Sequence, residues 1–582
     1  MRRAAALSVV LCLAILACGS PAAGPLADGG DGAPGGDGSD DGAAGAADGG
    51  EGGSPGDGGE TPPVELTVDH FSSVGRAVLG ALAAFPDERY RTWNYRGDAV
   101  FEPGWVLQTP PKEHWGQPAS SLPLPAPCAG PGCDPDFGLQ PCGHQGDCTG
   151  GGVCRPVSAT VTRPGDPPRS LCVGHSDLLY ERIYEALIET VAYADITSLS
   201  PCDGRFEAAI RNALTFLANR GAVARVRILF GNILGAEVDT ASVLGSLTRD
   251  LDPGAPLTVH VGAYRQGLAS WNHAKVVAVD DALLIEGGHN LWTAHYLTSS
   301  PIHDLSVRLR GTTAVDAHLF VNQLWATTCA DHTFPNSSSR HSFPAGAPDC
   351  PPDYGWAPQP PLLTHTRIIA AARLGALGAD PSDAAQLAMI AAAQSVVRLS
   401  LQDIGPVKIG PVTIGDWPQP LLGELGRALV RGVVVYVVLT NPGSVPGGLG
   451  GSGNTYGNGW TAGDTAAALE QWFDDHPGEL PTGTTARDLI CTRFHAALLR
   501  FSSEETWPDG ANIGNHAKFF IVDDLAFYVG SQNLYESDLA EFGLIVDDPA
   551  ATAHALAEYW TPLWTQSRRT AVSGVEAPSC SY

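Results

Sequence analysis

Lysine is almost missing from this chain: its 582 residues carry only Lys112, Lys275, Lys408 and Lys518. Methionine is scarcer still, with 2 residues. Basic charge as a whole is thin, 34 Lys+Arg against 62 Asp+Glu, for a formal net charge of -28. The basic footprint of a polyanion binder is therefore not visible at whole-chain level, although acidity leaves room for a local basic pocket. Beyond the N-terminal segment there is no unbroken apolar run of the roughly 18 to 20 residues that a membrane-spanning helix needs, so the remainder is expected to be anchored or secreted rather than spanning.

What is present at the N-terminus is an export signal: two arginines, an apolar stretch containing Cys12, and then Leu16, Ala17, Cys18 and Gly19. The Leu-Ala-Cys-Gly ending resembles a bacterial lipobox, with residues 1–18 as signal and Cys18 as the lipidated residue. An ordinary cleaved signal with an incidental cysteine is the alternative. Residues 19–65 are mostly Gly, Asp, Ala and Pro without Lys or Arg. Such a segment cannot bury enough apolar surface to offset its ordering entropy, and it reads as a disordered tether. The sequence carries 13 cysteines, which fits an oxidising compartment. Cys128, Cys133, Cys142, Cys148, Cys154 and Cys172 crowd into a Pro/Gly-rich patch that reads as a disulfide-stapled insert over 128–172; a zinc knuckle is the alternative. Of Cys202, Cys329, Cys350, Cys491 and Cys580, the pair Cys329 and Cys350 is close enough in sequence to be expected to join, and at least one cysteine is expected to stay free.

From about residue 66 helical and strand patterns alternate. Residues 177–194 have helical apolar spacing, DITSLSP reads as a strand, 204–221 as a helix stopped by glycine, and 224–231 as a strand. The order recurs later as a helix in DAAQLAMIAAAQSVV, a strand in RLSLQDIG, a helix in PLLGELGRALVRG and a strand in VVVYVVLT. This is an internal duplication at long period. It predicts an α/β protein of two pseudo-symmetric lobes, 66–345 and 366–582, joined by a Pro/Asp-rich linker, 346–365.

Each half carries one copy of the same unit. The first holds His273, Lys275, Asp280, Gly287, Gly288 and Asn290; the second holds His516, Lys518, Asp523, Gly530, Ser531 and Asn533. Both read HxKxxxxD, six residues, then G[GS]xN, with identical offsets. Half of the lysines in the chain sit in these two units. Residues i and i+2 of a strand share a face, so each His–Lys pair is expected to point one way, with each Asn after a Gly-containing turn that lets backbone approach a ligand. Two imidazoles, two ammoniums and two amides brought together suit a phosphodiester: cations and amides hold the non-bridging oxygens while charge builds. Asp280 and Asp523 fall on the opposite parity and are expected to be structural. No His/Asp/Glu cluster has metal-ligand spacing, so neither metal nor cofactor is expected.

This duplicated signature resembles that of the phospholipase D superfamily. The likeness extends to DITSLSP, WNHAK, HDLSVRLRG, LSLQDIG, GGLGGSGNTYGNG, GWVLQTPP near 104–111 and VDDLAFYVGSQNLYESDLAEFGLIV, all similar to secreted bacterial phospholipases D. It covers most of 66–582, but not the tether, and it breaks at the cysteine-rich insert. The resemblance implies two lobes with the active site at their interface, His273 as nucleophile and His516 as general acid/base. Pseudo-symmetry leaves the reverse assignment open. It also implies an acidic orienter for each histidine, matched here by Asp304 and by Glu541, the latter a glutamate where these enzymes often carry aspartate. Lys275, Lys518, Asn290 and Asn533 would hold the phosphate. Gly288 replaces the commoner serine, so a hydroxyl is lost in the first lobe. The implied reaction is hydrolysis of glycerophospholipids at a membrane surface, with water or an alcohol as acceptor, by a monomer. A nuclease or other phosphodiesterase, and a surface binding module on a dead scaffold, are the competing readings; the scarcity of lysine argues against nucleic acid. Aromatic residues near the motifs (Trp271, Trp292, Tyr296, Tyr456, Trp460, Tyr535) fit an amphiphilic substrate, and the Gly-rich stretch 447–459 is either an inert loop or a lid.

Overall fold

The computed structural model describes residues 64–582, apart from 269, 331–335, 376–379, 407, 410–411, 414–416, 446–459 and 535–538. The signal segment with Cys12 and Cys18, most of the tether, the stretch 447–459, Tyr456 and Tyr535 lie outside the described residues.

Two mixed sheets carry the fold, and six consecutive strands of each repeat one order. In the first, Asp304–Arg310, Leu283–Gly287, Val276–Val279, Tyr193–Ser198, Arg225–Gly231 and Thr258–Gln266 lie side by side. In the second, Ala540–Asp547, Ala526–Gly530, Lys518–Val522, Val396–Leu401, Val434–Leu439 and Phe494–Leu498 do the same. The last three of each set run parallel and the first three are antiparallel. Helices Leu178–Ile188 and Gly204–Asn219 connect the first sheet; Pro381–Ala391 and Gln419–Arg431 are their counterparts. Gly432 caps the last of these at φ 97°, a left-handed conformation that glycine adopts without penalty.

Three apolar cores follow. One covers the outer face of each sheet. The third lies between the sheets, where Val276, Ala278, Leu284 and Val307 of the first meet Phe519, Ile521, Phe527 and Leu544 of the second. Ala274 and Ala517, the residues between each motif His and Lys, are buried in this shared core. Strand alternation therefore turns each His and Lys away from it.

The lobe boundaries differ from the expected ones. Residues assigned by sequence to the first lobe, Trp93–Ala99, pair with Thr366–Leu374 in the second sheet. Val64–Glu65, expected in the tether, pairs with Leu362–Leu363 of the expected linker. Helix Ser73–Leu82 buries Val74, Val78 and Leu82 in the outer core of the second lobe. The first sheet begins only at Val106–Thr109. The cause is burial: the strand Thr366–Leu374 is flanked by Ala540–Asp547 on one side and needs a partner on the other, and the N-terminal segment supplies it.

The cysteine-rich insert is cross-linked by Cys128–Cys133, Cys142–Cys154 and Cys148–Cys172. The sulfurs of Cys142, Cys148 and Cys154 lie within 4.8 Å of one another, but all three are committed to disulfides, which leaves no thiolate there for zinc. Cys329 joins Cys350, Cys491 joins Cys580, and Cys202 is a buried free thiol.

Candidate active site at the lobe interface

The two motif units meet through crossed contacts. The backbone amide of His273 donates to the carbonyl of Ala540 at 2.8 Å, and its ring Nδ1 lies 2.9 Å from both carboxylate oxygens of Glu541. In the other half, the amide of His516 donates to the carbonyl of His303 at 2.7 Å, and its Nδ1 lies 2.6 Å from Asp304 Oδ2. Each histidine is therefore held, backbone and ring together, by two consecutive residues of the opposite lobe. An ionised carboxylate only accepts, so each Nδ1 carries the proton and each Nε2 presents a lone pair.

Asn272 and Asn515, immediately before the histidines, lock the approach to each motif. Asn272 Nδ2 donates to the carbonyls of Ser198 and Leu229; Asn515 Nδ2 donates to Ser400 Oγ and the carbonyls of Leu401 and Val438. Sequence reasoning passed over them, though the repeated NHAK of both copies was the available signal.

The lysines fold back: Lys275 Nζ donates to the carbonyl of His273 and Lys518 Nζ to that of His516. An ammonium has three donors, so others remain for a ligand. Asn290 is buried, its Oδ1 accepting from the amide of Leu199 at 3.4 Å, and Asn533 is buried as well. Asp280 and Asp523 sit away from this cluster at φ 49° and 54°. The Asp280 carboxylate accepts from the amides of Val191, Ala192 and Tyr193, and that of Asp523 from Gln394, Ser395 and Val396. They tie each motif hairpin to the start of its neighbouring strand.

The glycines act otherwise than by admitting a ligand. A Cβ at Gly288 would stand 1.9 Å from Asp304 Oδ1, so glycine there makes room for the carboxylate. The lost serine is replaced by Tyr296, whose hydroxyl donates to Asp304 Oδ2 at 2.9 Å and accepts from the amide of Asn290 at 3.2 Å. In the second lobe Ser531 Oγ donates to Glu541 Oε2 at 2.7 Å and accepts from the amide of Phe542 at 3.0 Å. Tyr296 is fully buried, so it belongs to the support of Asp304 rather than to an aromatic surface for substrate. Glu541 has a further cation nearby, Arg373 Nη2 at 3.7 Å.

The electrostatics of this buried set favour neutral imidazoles. Burial pushes His273 down to about 4, against the pull of Glu541, and pushes His516 down to about 3, with Lys518 adding to the effect and Asp304 opposing it. Burial also lowers Lys275 to about 8 and Lys518 to about 7. Burial opposes ionisation of both carboxyls, but the charges and hydrogen bonds of their histidines, with the lysines and Arg373, hold Asp304 and Glu541 below the usual range. Two carboxylates and two ammoniums thus balance. Glu286 is buried as well, and burial pushes its carboxyl well up, with the Lys275 charge opposing and that of Glu541 adding to the effect.

No family model matches the chain. A curated phospholipase D of Streptomyces antibioticus is 28% identical over 454 residues, which is 68% of this chain and 79% of that protein. In sequence the chain is thus similar to the phospholipase D superfamily. Among solved structures, a phosphatidylserine synthase of Haemophilus influenzae Rd KW20 is similar at TM-score 0.43 and 14% identity, covering 67% of this chain and 85% of that one. The phospholipase D family member Nuc of Salmonella typhimurium is similar at TM-score 0.20 and 16% identity, covering 34% and 96%.

Proposed function

We propose that this chain is an exported phospholipase D-type phosphodiesterase that hydrolyses glycerophospholipids such as phosphatidylcholine to phosphatidate and free head group, and that also transfers the phosphatidyl group to alcohols. The observation that carries this reading is the crossed pairing of His273 with Glu541 and of His516 with Asp304, with Lys275 and Lys518 alongside.

In this reading His273 Nε2 attacks phosphorus. A P–N bond forms as the P–O bond to the leaving alcohol breaks, and His516 Nε2 delivers a proton to that oxygen. The incoming phosphodiester brings a negative charge between the two ammoniums. It offsets the cations that hold His516 down and so favours its protonation. Water or a second alcohol then gives its proton to His516 and attacks the phosphohistidine, releasing His273. The ammoniums, with the amides of Asn290 and Asn533, stabilise charge on the non-bridging oxygens. Lipid as substrate is favoured by the Streptomyces antibioticus relative and by the acidic, lysine-poor chain. Export is favoured by five disulfides. Among the described residues no helix is long and apolar enough to cross a membrane. Anchoring through Cys18 and action as a monomer belong to the same proposal.

The test incubates the protein with phosphatidylcholine and ethanol in the presence of EDTA. Phosphatidylethanol and free choline are expected. Cleavage of DNA and bis-p-nitrophenyl phosphate without phosphatidylethanol would replace this reading with a nuclease.

A further inference from the structure

A cavity of about 740 Å³ lies against the loop that leaves the candidate site. Three parts of the chain wall it. Leu124 and Pro125 lead into the cysteine-rich insert, which contributes Phe137; Arg205 comes from the start of helix Gly204–Asn219; Leu297 and Thr298 come from the loop after Asn290. The volume falls in the range of small-molecule sites, roughly 300 to 1,000 Å³. Its lining is mostly carbon, and the main polar groups are already engaged. Arg205 is bound to Asp177 and to the carbonyl of Leu297, and the carbonyl of Thr298 lies 3.2 Å from His175 Nε2. The insert wall is fixed by Cys128–Cys133 and Cys148–Cys172, so it is preformed.

The loop has two sides. Tyr296 bonds the Asp304 carboxylate that holds His516, and the next residue, Leu297, lines the cavity. The cavity thus begins one residue along the chain from a group that supports the site. We propose that this cavity receives an acyl chain of the lipid substrate, making the insert part of substrate recognition; the proposal rests on the lipid reading above. Specificity would come from length: each methylene buried is worth roughly fourfold in affinity, and transition-state binding of the remote chain appears in kcat/KM.

The experiment compares monomeric phosphatidylcholines of increasing acyl length, up to dioctanoyl, with bis-p-nitrophenyl phosphate, which has no chain. The variants are Leu124→Trp, which fills the cavity from a half-buried position, and Ser299→Trp, at its exposed rim; the second stands if the first fails to fold. Wild-type kcat/KM is expected to rise severalfold with each added methylene. Each variant should flatten that rise and lose at least tenfold on the dioctanoyl lipid, while keeping bis-p-nitrophenyl phosphate hydrolysis within twofold. Unchanged length dependence in both folded variants, or parallel loss on both substrates, overturns the proposal. If the wild type cleaves no phosphatidylcholine, the lipid reading has failed, and the cavity is judged by cis-parinaric acid fluorescence alone. Binding by wild type that is lost in a folded variant supports an apolar-chain site; no binding by wild type, or binding retained in both variants, ends it.

Discussion

The two half-sites hold their carboxylates by the same bonds made from different residues. In the second lobe the motif serine, Ser531, donates to Glu541 and accepts the amide of Phe542. In the first lobe the serine position is Gly288, and the carboxylate is one methylene shorter. There Tyr296, from the longer loop between Asn290 and Asp304, donates to Asp304 and accepts the amide of Asn290. The constraint on the pocket is thus a hydroxyl that gives to the carboxylate and takes from the backbone. Which residue supplies it is free to change, provided the vacated space is used. Here it is used by Asp304, since a Cβ at Gly288 would overlap it.

The largest expected difference between the halves is chemical. With His273 as the proposed nucleophile, His273→Ala should lower kcat by a thousandfold or more on every substrate, as loss of a covalent catalyst does. His516→Ala removes the proposed proton donor. It should be comparably impaired on phosphatidylcholine, yet keep much of its first-turnover burst on bis-p-nitrophenyl phosphate, whose leaving group needs no proton. Burst kinetics with both variants decide the assignment; a burst in His273→Ala and none in His516→Ala would reverse it.

Next comes space. Gly288→Ala should cost about 2 to 4 kcal/mol of stability or displace Asp304, with a kcat loss of roughly a hundredfold. Ser531→Gly only removes a hydroxyl and should lose about tenfold or less. Thermal melts and kcat for the pair measure the contrast. Equal losses would mean that the first lobe has no special demand for glycine.

Much of this site was legible because it was written twice. His273, Lys275 and Asn290 form a weak pattern alone, and the copy at His516, Lys518 and Asn533 gave it weight. Asp304 and Glu541 stood out by family likeness. Their crossing did not, because a residue and its partner 268 or 212 positions away are joined only by tertiary packing. Tyr296 looked like a surface aromatic, since burial cannot be read from one residue type. The alternation of helices and strands along the chain followed from periodicity, whereas the move of Trp93–Ala99 into the second sheet depended on which strand edge lacked a partner, a property absent from local pattern.

Protonation should separate the halves more gently. The lysines are charged below their depressed values, so Lys518 loses its proton as pH rises through about 7 and Lys275 through about 8. The site then passes from balanced to negative and repels an anionic phosphodiester. On the acid side His273, as the proposed nucleophile, must be neutral, and it protonates as pH falls through about 4. The pH profile of kcat/KM on bis-p-nitrophenyl phosphate should therefore be a bell, falling severalfold by pH 9 and again below pH 4, with apparent values belonging to the coupled set. A profile flat from pH 6 to 9 would remove the lysines from phosphate binding.

The smallest effects test the two hydroxyls directly. Tyr296→Phe and Ser531→Ala each delete one donor to a buried carboxylate and leave one backbone amide without its acceptor, so both should lower kcat by about three- to tenfold. Their pH profiles should differ. A carboxylate that loses a donor concentrates its charge on the remaining Nδ1–H and makes that imidazole more basic. Ser531 supports Glu541, which holds His273, so Ser531→Ala should move the acid limb to higher pH, where the nucleophile protonates sooner. Tyr296 supports Asp304, which holds His516. Tyr296→Phe should leave that limb in place and instead aid protonation of the acid, so that activity on phosphatidylcholine, whose leaving group needs the proton, falls less than activity on bis-p-nitrophenyl phosphate. A merely structural role for both hydroxyls would lower activity without moving either limb, and a shift of the same limb in both variants would show that the crossed carboxylates do not serve separate histidines.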